Sequence, residues 1–259
     1  MAVAEQGGRK LAGAVSINVS RTLALADLKS ALAAGWADYR AAPQFGLFFA
    51  GIYVAAGLAL AWALVTQAAV AWLVPAAAGF PLLAPFCAVG LYDVSRRREA
   101  GLPLPWGGVL ASLKGRGDEQ ILSMGVIIFV AFGFWLMIAH AIFAIFQSGS
   151  GTDSLEFLFS STGIAMLIFG SVVGALMALG FYAVTVVSLP MLVDRDVDFM
   201  TAIITSLSCM RANARLLLIW AVLIAATLFV AMLPAFLGLL VALPVLGHAT
   251  WHLYRRLVA

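Results

Sequence analysis

The sequence predicts an all-α membrane protein that crosses the bilayer six times, as three helical hairpins, each preceded by a short amphipathic helix at the membrane interface. Hydrophobic residues make up 64% of the 259 residues and charged residues only 10%, with a mean hydropathy of +1.05. Soluble globular domains carry about 25% charged residues. The apolar residues also fall in runs of roughly 20, the length that a helix needs to span a bilayer.

Six apolar runs define the predicted spans. Residues 1–20 precede them as a mixed polar tail, expected in the cytosol, and residues 21–259 form a single membrane domain. The spans cover residues 45–66, 75–92, 121–146, 160–190, 216–233 and 235–253. The fourth run is longer than a bilayer requires, so it predicts a helix that is tilted, kinked or interfacial at its start.

The basic residues predict the orientation. All 15 Lys and Arg residues fall on one side of the membrane when the six spans are threaded through it. The opposite loops contain only Asp153 and Glu156 as charges. Because cytoplasmic loops are enriched in Lys and Arg, the basic side and both termini are predicted to be cytosolic. This anchoring also explains the net charge of +3 without a nucleic-acid partner.

The spacing of polar residues and prolines fits a degenerate threefold repeat of one interfacial helix and two spans. Each hairpin follows a polar residue, and its return helix contains a proline with another polar residue eight positions later. The polar residues before the hairpins are Asp38, Asp118 and Asn213. The prolines are Pro85, Pro190 and Pro244, and the polar residues eight positions after them are Asp93, Asp198 and His252. Alternatively, such residues simply mark helix ends.

Two of the interfacial segments have the period of an amphipathic helix. After Thr22, one helical face is predicted to carry Leu25, Leu28, Leu32, Gly35, Trp36 and Tyr39. Residues 198–213 are predicted to form a helix along the membrane surface. Its apolar face, towards the bilayer or the core, would carry Ile203, Ile204 and Leu207.

Histidines are the candidate ligands for a metal or a haem. His248 and His252 are four residues apart and therefore share one helical face. The favoured alternative is that both rings anchor a helix end at the level of the lipid headgroups, so no cofactor is expected. His140 lies alone within the third span, where an ionisable side chain suggests a ligand or proton-relay role. A neutral ring that is hydrogen-bonded to a neighbouring helix is the simpler interpretation.

Two other sets of residues are candidates for a site. A cytosolic polar cluster is predicted from Asp93, Asp194, Arg195, Asp198 and Asn213. Within this region, Asp194, Arg195 and Asp196 could form a catalytic carboxylate set, although charges at helix ends more often form caps and ion pairs. Small residues on the fourth span, which permit close helix packing, are Gly163, Gly170 and Gly174. Packing within the chain is favoured over a homodimer interface.

Sequence motifs of common enzyme classes are missing. The chain contains no Walker sequence, no GxSxG elbow, no HExxH and no CxxC motif. No carboxylate or arginine lies deep in a predicted span, so an ion-coupled pump would lack its usual carriers. The sequence thus favours a protein that is not an enzyme.

Four long stretches carry a resemblance to a known family, namely GWADYRAAPQFGLFFAGIYV, PLLAPFCAVGLYDVSRRREAG, VVSLPMLVDRDVDFMTAIITSLSCMRANARLLLIWAVLIA and GLLVALPVLGHATWHLYRRLV. They resemble the bacterial integral membrane family known as domain of unknown function 2189, and the resemblance covers nearly everything after residue 20. It implies a multi-span protein of the bacterial inner membrane and brings no catalytic residues with it. Some relatives bear labels that connect them with cytochrome oxidase subunits.

Two functions follow as expectations. The first is a non-enzymatic accessory or assembly subunit of a larger inner-membrane complex, with a respiratory complex as one candidate. The alternative is a carrier or binding protein for a lipid or small apolar molecule, with a cytosol-facing vestibule near Pro85, Pro190 and Pro244. An enzyme that uses His248 and His252 is a third and weaker hypothesis.

Overall fold

The computed structural model describes residues 18–67, 76, 79–114, 120–147 and 155–258, so most of the predicted tail, Asp118 and Asp153 lie outside the described residues. As predicted, the described chain is helical apart from short connections, with one isolated antiparallel bridge between Val19 and Val258. The helices are α1 (Leu25–Ala41), α2 (Pro43–Thr66), α3 (Ala84–Glu99), α4 (Trp106–Ala111), α5 (Gln120–Gln147), α6 (Leu155–Leu158), α7 (Ser161–Asp194), α8 (Phe199–Ala212), α9 (Ala214–Met232) and α10 (Leu239–Leu257).

Local chemistry explains where several helices begin. Pro43 occupies the first turn of α2, where its ring presets the helical φ angle and its missing N–H is not needed. Ser160 caps α7, with its hydroxyl oxygen 3.0 Å from the Gly163 N–H that donates to it. Asp198 caps α8 in the same way, accepting from the Thr201 N–H at 2.8 Å. These caps satisfy backbone donors that have no partner within the helix.

Four helices are long and apolar enough to cross a membrane. They are Pro43–Thr66, Gln120–Phe146, Ser161–Asp194 and Ala214–Met232. The predicted spans 75–92 and 235–253 correspond to α3 and α10, which are not among these four. Helix α3 has only 16 residues, and α10 carries two histidines and two arginines that lower its hydropathy. The structure thus gives an integral membrane protein with four candidate spans, and the arrangement of six spans in three hairpins is not confirmed.

Helix α7 accounts for the unusually long fourth run. It has 34 residues, or about 51 Å at 1.5 Å per residue, against a hydrocarbon core of about 30 Å. Every residue from Thr185 to Val193 is buried, including Pro190. The extra length therefore lies inside the protein, where α3, α8 and α10 cover the last turns of α7.

Helix α10 is the centre of the described bundle, and α1 packs on it more extensively than on any other helix. The close approach depends on Gly35. A Cβ atom at this position would lie 2.5 Å from the Ala249 nitrogen and 2.7 Å from the Val245 carbonyl oxygen. These are backbone atoms that cannot rotate away, so only glycine allows α1 and α10 to sit at this distance.

The predicted interfacial helices α1 and α8 are present, with some changes in which face is buried. In α1, Leu25 and Trp36 are exposed, and the buried face consists of Leu28, Ala31, Gly35 and Asp38. The predicted apolar face is therefore only partly buried within the protein, because contact with α10 selects small residues and a carboxylate. In α8, Ile204 is exposed whereas Ile203 packs against the core.

Candidate functional site

A buried polar network lies where the last turn of α1 meets α3 and α10. We call it the Asp38 network, and its members are Asp38, Ser95, Arg98, His248 and His252. Asp38 is at its centre and is only 7% exposed. One of its oxygens, Oδ1, accepts a hydrogen bond from Arg98 Nε at 2.8 Å. The other, Oδ2, lies 2.6 Å from Ser95 Oγ and 2.8 Å from His252 Nε2.

The hydrogen bonds keep Asp38 ionised despite its burial. Burial alone would raise its pKa, but the hydrogen bonds from His252, Ser95 and Arg98 outweigh that effect and lower the pKa from 3.8 to about 2. An ionised carboxylate can only accept hydrogen bonds. The hydroxyl of Ser95 and the Nε2–H of His252 must therefore both donate to Asp38.

This assignment fixes the tautomer of His248. Its Nδ1 lies 2.8 Å from Ser95 Oγ. Because the Ser95 proton is directed to Asp38, His248 must donate from Nδ1 to the serine oxygen, which leaves Nε2 as a bare acceptor. His248 is completely buried, and its Nε2 has no hydrogen-bond partner among the described residues. A protonated ring would bury a second N–H without an acceptor, so the geometry favours the neutral form.

The Asp38 network contains a serine, a histidine and an aspartate, but in an arrangement that differs from a hydrolytic triad. In a triad, the histidine lies between the serine and the carboxylate, so that the ring can remove the serine proton. Here Ser95 lies between His248 and Asp38 and gives its proton to the carboxylate. Ser95 is also fully buried, out of reach of a substrate. The network is suited to holding three helices together by charge-assisted hydrogen bonds.

The histidine pair proposed as a ligand site is part of this network. His252 uses Nε2 to bond Asp38, and His248 uses Nδ1 to bond Ser95. In the described part of the chain, no group of three or more His, Cys, Asp or Glu side chains is placed to hold a metal ion. The haem or metal hypothesis for His248 and His252 stays a prediction. His140 lies in the second half of α5 and is not part of the Asp38 network.

The residues of the predicted cytosolic cluster occupy separate positions. Asp93 pairs with Arg96 and Arg97 of its own helix. Asp194 accepts from the Tyr254 hydroxyl at 2.8 Å and from Arg255 at 3.2 Å, with Arg195 Nε 3.7 Å away. Asp198 is the cap of α8, and Asn213, at the junction of α8 and α9, donates to the Ser20 carbonyl at 2.7 Å. The structure places these groups in several small pairings that connect helix ends.

The glycines of α7 face neighbouring parts of the same chain. A Cβ atom on Gly174 would lie 2.6 Å from the Trp135 ring of α5, and one on Gly163 would lie 2.0 Å from the Phe157 carbonyl oxygen. The position of Gly170 is more open, with Ile142 of α5 3.9 Å away. Gly163 and Gly174 thus accommodate contacts within the chain.

A large cavity, which we call the central cavity, lies beside the Asp38 network. Its volume is about 610 Å³, and residues of α3, α7, α9 and α10 line most of it. The lining is apolar except for Tyr92, Tyr182, Thr185 and Thr250, and none of the described lining residues is charged. Of the three hairpin prolines, Pro85 lines this cavity, whereas Pro190 is buried in α7 and Pro244 packs against Gly46.

The sequence patterns did not single out Ser95, Arg98 or Tyr92. The only local signal is that Tyr92, Ser95 and Asp38 are polar or amphipathic residues on helix faces that are otherwise apolar. Their partners are distant in the chain, since Asp38 and Ser95 are 57 residues apart and Ser95 and His248 are 153 apart. No spacing rule relates residues at such separations.

Comparison with known proteins supports the membrane assignment. Neither the curated proteins nor the solved structures contain a match. A family model described as a predicted integral membrane protein (DUF2189) matches residues 73–194. The predicted resemblance is confirmed for this range. The similar stretches at residues 35–54 and 238–258, and residues 195–225 of the third stretch, lie outside it. From the second predicted span to the end of α7, the chain is thus similar to the DUF2189 family of predicted integral membrane proteins.

Proposed function

We propose that this protein binds a lipid chain or another small apolar molecule in the central cavity. The observation that carries the proposal is the cavity itself, since ligand pockets usually measure 300–1,000 Å³ and combine an apolar lining with a few polar groups. The central cavity, with about 610 Å³ and four polar side chains, has both properties. This was the alternative expectation from the sequence, and the geometry now favours it.

The cavity is open to apolar molecules along α9. Of the lining side chains on this helix, Leu218 is 40% exposed, Val222 68% and Phe229 66%. Such exposure is expected for a helix that faces lipid. A lipid chain could therefore enter from the bilayer, without the cytosol-facing vestibule that the prolines suggested.

The Asp38 network supports the proposal by fixing one end of the cavity. Helices α3 and α10 contribute to the network and to the cavity lining. On α3, Tyr92 lines the cavity one turn before Ser95, and on α10, Thr250 lines it between His248 and His252. A network of charge-assisted hydrogen bonds holds these helices at a set distance. The cavity then exists before the ligand arrives, which lowers the entropic cost of binding.

We also propose that α3 and α10 complete six membrane crossings. Two contacts support a return of the chain along α2: the Tyr53 hydroxyl donates to the Phe80 carbonyl at 2.7 Å, and Asp38 bonds Ser95. For α10, Phe236 approaches Gly57 at one end and His252 bonds Asp38 at the other. Both helices thus run antiparallel to α2, towards the side where α2 begins, which the basic residues assign to the cytosol.

Fusions to a phosphatase that is active only outside the cytosol test this topology. A fusion after Gln67, at the end of α2, should be active. A fusion after Gly101, just beyond α3, should be inactive if α3 crosses back. An active fusion after Gly101 would show that α3 does not return to the cytosolic side.

Ligand binding is tested by native mass spectrometry of protein extracted gently into nanodiscs. The wild-type protein should retain one apolar molecule. Ala221→Phe adds a ring to a lining position on α9 and should abolish this retention, whereas Ala226→Phe, at an exposed position of the same helix outside the lining, should not. Absence of bound mass in the wild type, or equal retention by Ala221→Phe, would refute the proposal. A stoichiometric protein partner in the same spectrum would instead support the accessory-subunit expectation.

A further inference from the structure

Three of the four polar side chains in the central cavity are already hydrogen-bonded within the protein. The Tyr182 hydroxyl donates to the Leu217 carbonyl at 2.9 Å. Thr185 donates to the Phe181 carbonyl at 2.9 Å, and Thr250 donates to the Leu246 carbonyl at 2.8 Å. These groups have used their donor protons and are not available to orient a ligand through a donated hydrogen bond.

Tyr92 is the exception. It is 4% exposed and lines the cavity, yet its hydroxyl forms no hydrogen bond with any residue that the structure describes. Among the described side chains, His248 Nε2 is the polar atom that is both fully enclosed and without a partner. The Tyr92 hydroxyl is therefore not fully enclosed by protein atoms, and Tyr92 belongs to the lining of the cavity. A buried tyrosine hydroxyl normally has a partner, so this donor requires one from outside the described residues.

We propose that Tyr92 donates a hydrogen bond to an oxygen of the bound molecule, which is a neutral compound with a long apolar chain and a carbonyl or ester group. The apolar lining contacts the apolar chain of this molecule. The Tyr92 hydroxyl has no hydrogen-bond partner among the described residues, so its proton is available to the oxygen of the bound molecule. A charged headgroup does not fit, because none of the described lining residues carries a charge that could compensate it. This inference rests on the proposed function and specifies the ligand of the same cavity.

Two matched probes separate this inference from the general proposal. Methyl palmitate has an ester group, and octadecane is a hydrocarbon of about the same length. Binding of each to protein in detergent micelles, after its bound lipid has been removed, can be measured by native mass spectrometry for the wild type, Tyr92→Phe and Tyr182→Phe. Tyr92→Phe removes a hydroxyl that bonds no described residue, so the variant should fold with the thermal midpoint of the wild type.

We expect Tyr92→Phe to bind methyl palmitate about five- to tenfold more weakly, as for the loss of one neutral hydrogen bond, with octadecane binding unchanged. Tyr182→Phe should keep the preference of the wild type for the ester. Equal binding of the ester by the wild type and Tyr92→Phe would overturn the role of Tyr92 while leaving the proposed function intact. A wild-type protein that binds neither probe would overturn both.

Discussion

Replacing Asp38 by asparagine removes the charge at the centre of the Asp38 network while keeping the size of the side chain. In the folded protein the pKa of Asp38 is lowered from 3.8 to about 2. At about 1.4 kcal/mol per pKa unit, this shift corresponds to roughly 2 kcal/mol of stability at neutral pH. The thermal midpoint should therefore fall by about 4–8 °C, given about 2–4 °C per kcal/mol for a chain of this size.

The pH dependence gives a second readout with a defined sign. Because the pKa of Asp38 is lower in the folded state, its contribution is present above the unfolded pKa near 4 and is lost as the pH falls towards 2. Thermal unfolding followed by tryptophan fluorescence in detergent should show this loss in the wild type between pH 4 and pH 2. The Asp38→Asn variant should lack this part of the pH dependence.

A suitable control is Asp196→Asn, which changes the net charge by the same amount at an exposed position. This variant should unfold like the wild type at neutral pH. If Asp38→Asn also unfolds like the wild type, the network does not stabilise the contact of α1 with α3 and α10. The account of how these helices are held together would then be refuted.

Two further substitutions test packing and backbone geometry. Gly35→Ala should lower the free energy of unfolding by about 1–3 kcal/mol, because the new methyl group would meet the backbone of Ala249, whereas Gly51→Ala, with no atom within 4 Å, should not. Ala235→Gly should raise it by about 1 kcal/mol, since the φ angle of 49° at this residue favours glycine. Thermal unfolding measures both, and an unchanged midpoint for Gly35→Ala or a lower one for Ala235→Gly would contradict these explanations.

Features that depend on neighbouring residues were predictable from the sequence. The apolar runs of α2, α5, α7 and α9 needed only length and composition. The helix at residues 198–213 followed from its amphipathic pattern, and Asp198 precedes it as expected for a cap. In each case the signal lies within one or two helical turns, which is the range over which periodicity and capping act.

Features that depend on packing were not predictable. The apolar pattern of α1 grouped Leu25 and Trp36 with Leu28 on one face, but it could not show that α10 contacts this helix at Gly35 and leaves Leu25 and Trp36 outside the contact. His248 and His252 were recognised as a pair, yet their partners Asp38 and Ser95 come from other helices. A cavity between four helices leaves no trace in the sequence of any one of them, so Tyr92 could not be distinguished from an ordinary core tyrosine.

The packing of α1 on α10 has a consequence for the order of events during synthesis. His252 follows its partner Asp38 by 214 residues. At a translation rate of about 5–20 residues per second, the ribosome needs roughly 10 to 40 seconds to make the intervening chain. Throughout that time, Asp38 lacks its hydrogen-bond partner on α10, and Gly35 lacks the backbone of α10 against which it packs. The earlier helices are therefore only partly assembled until α10, one of the last segments to be synthesised, packs against α1.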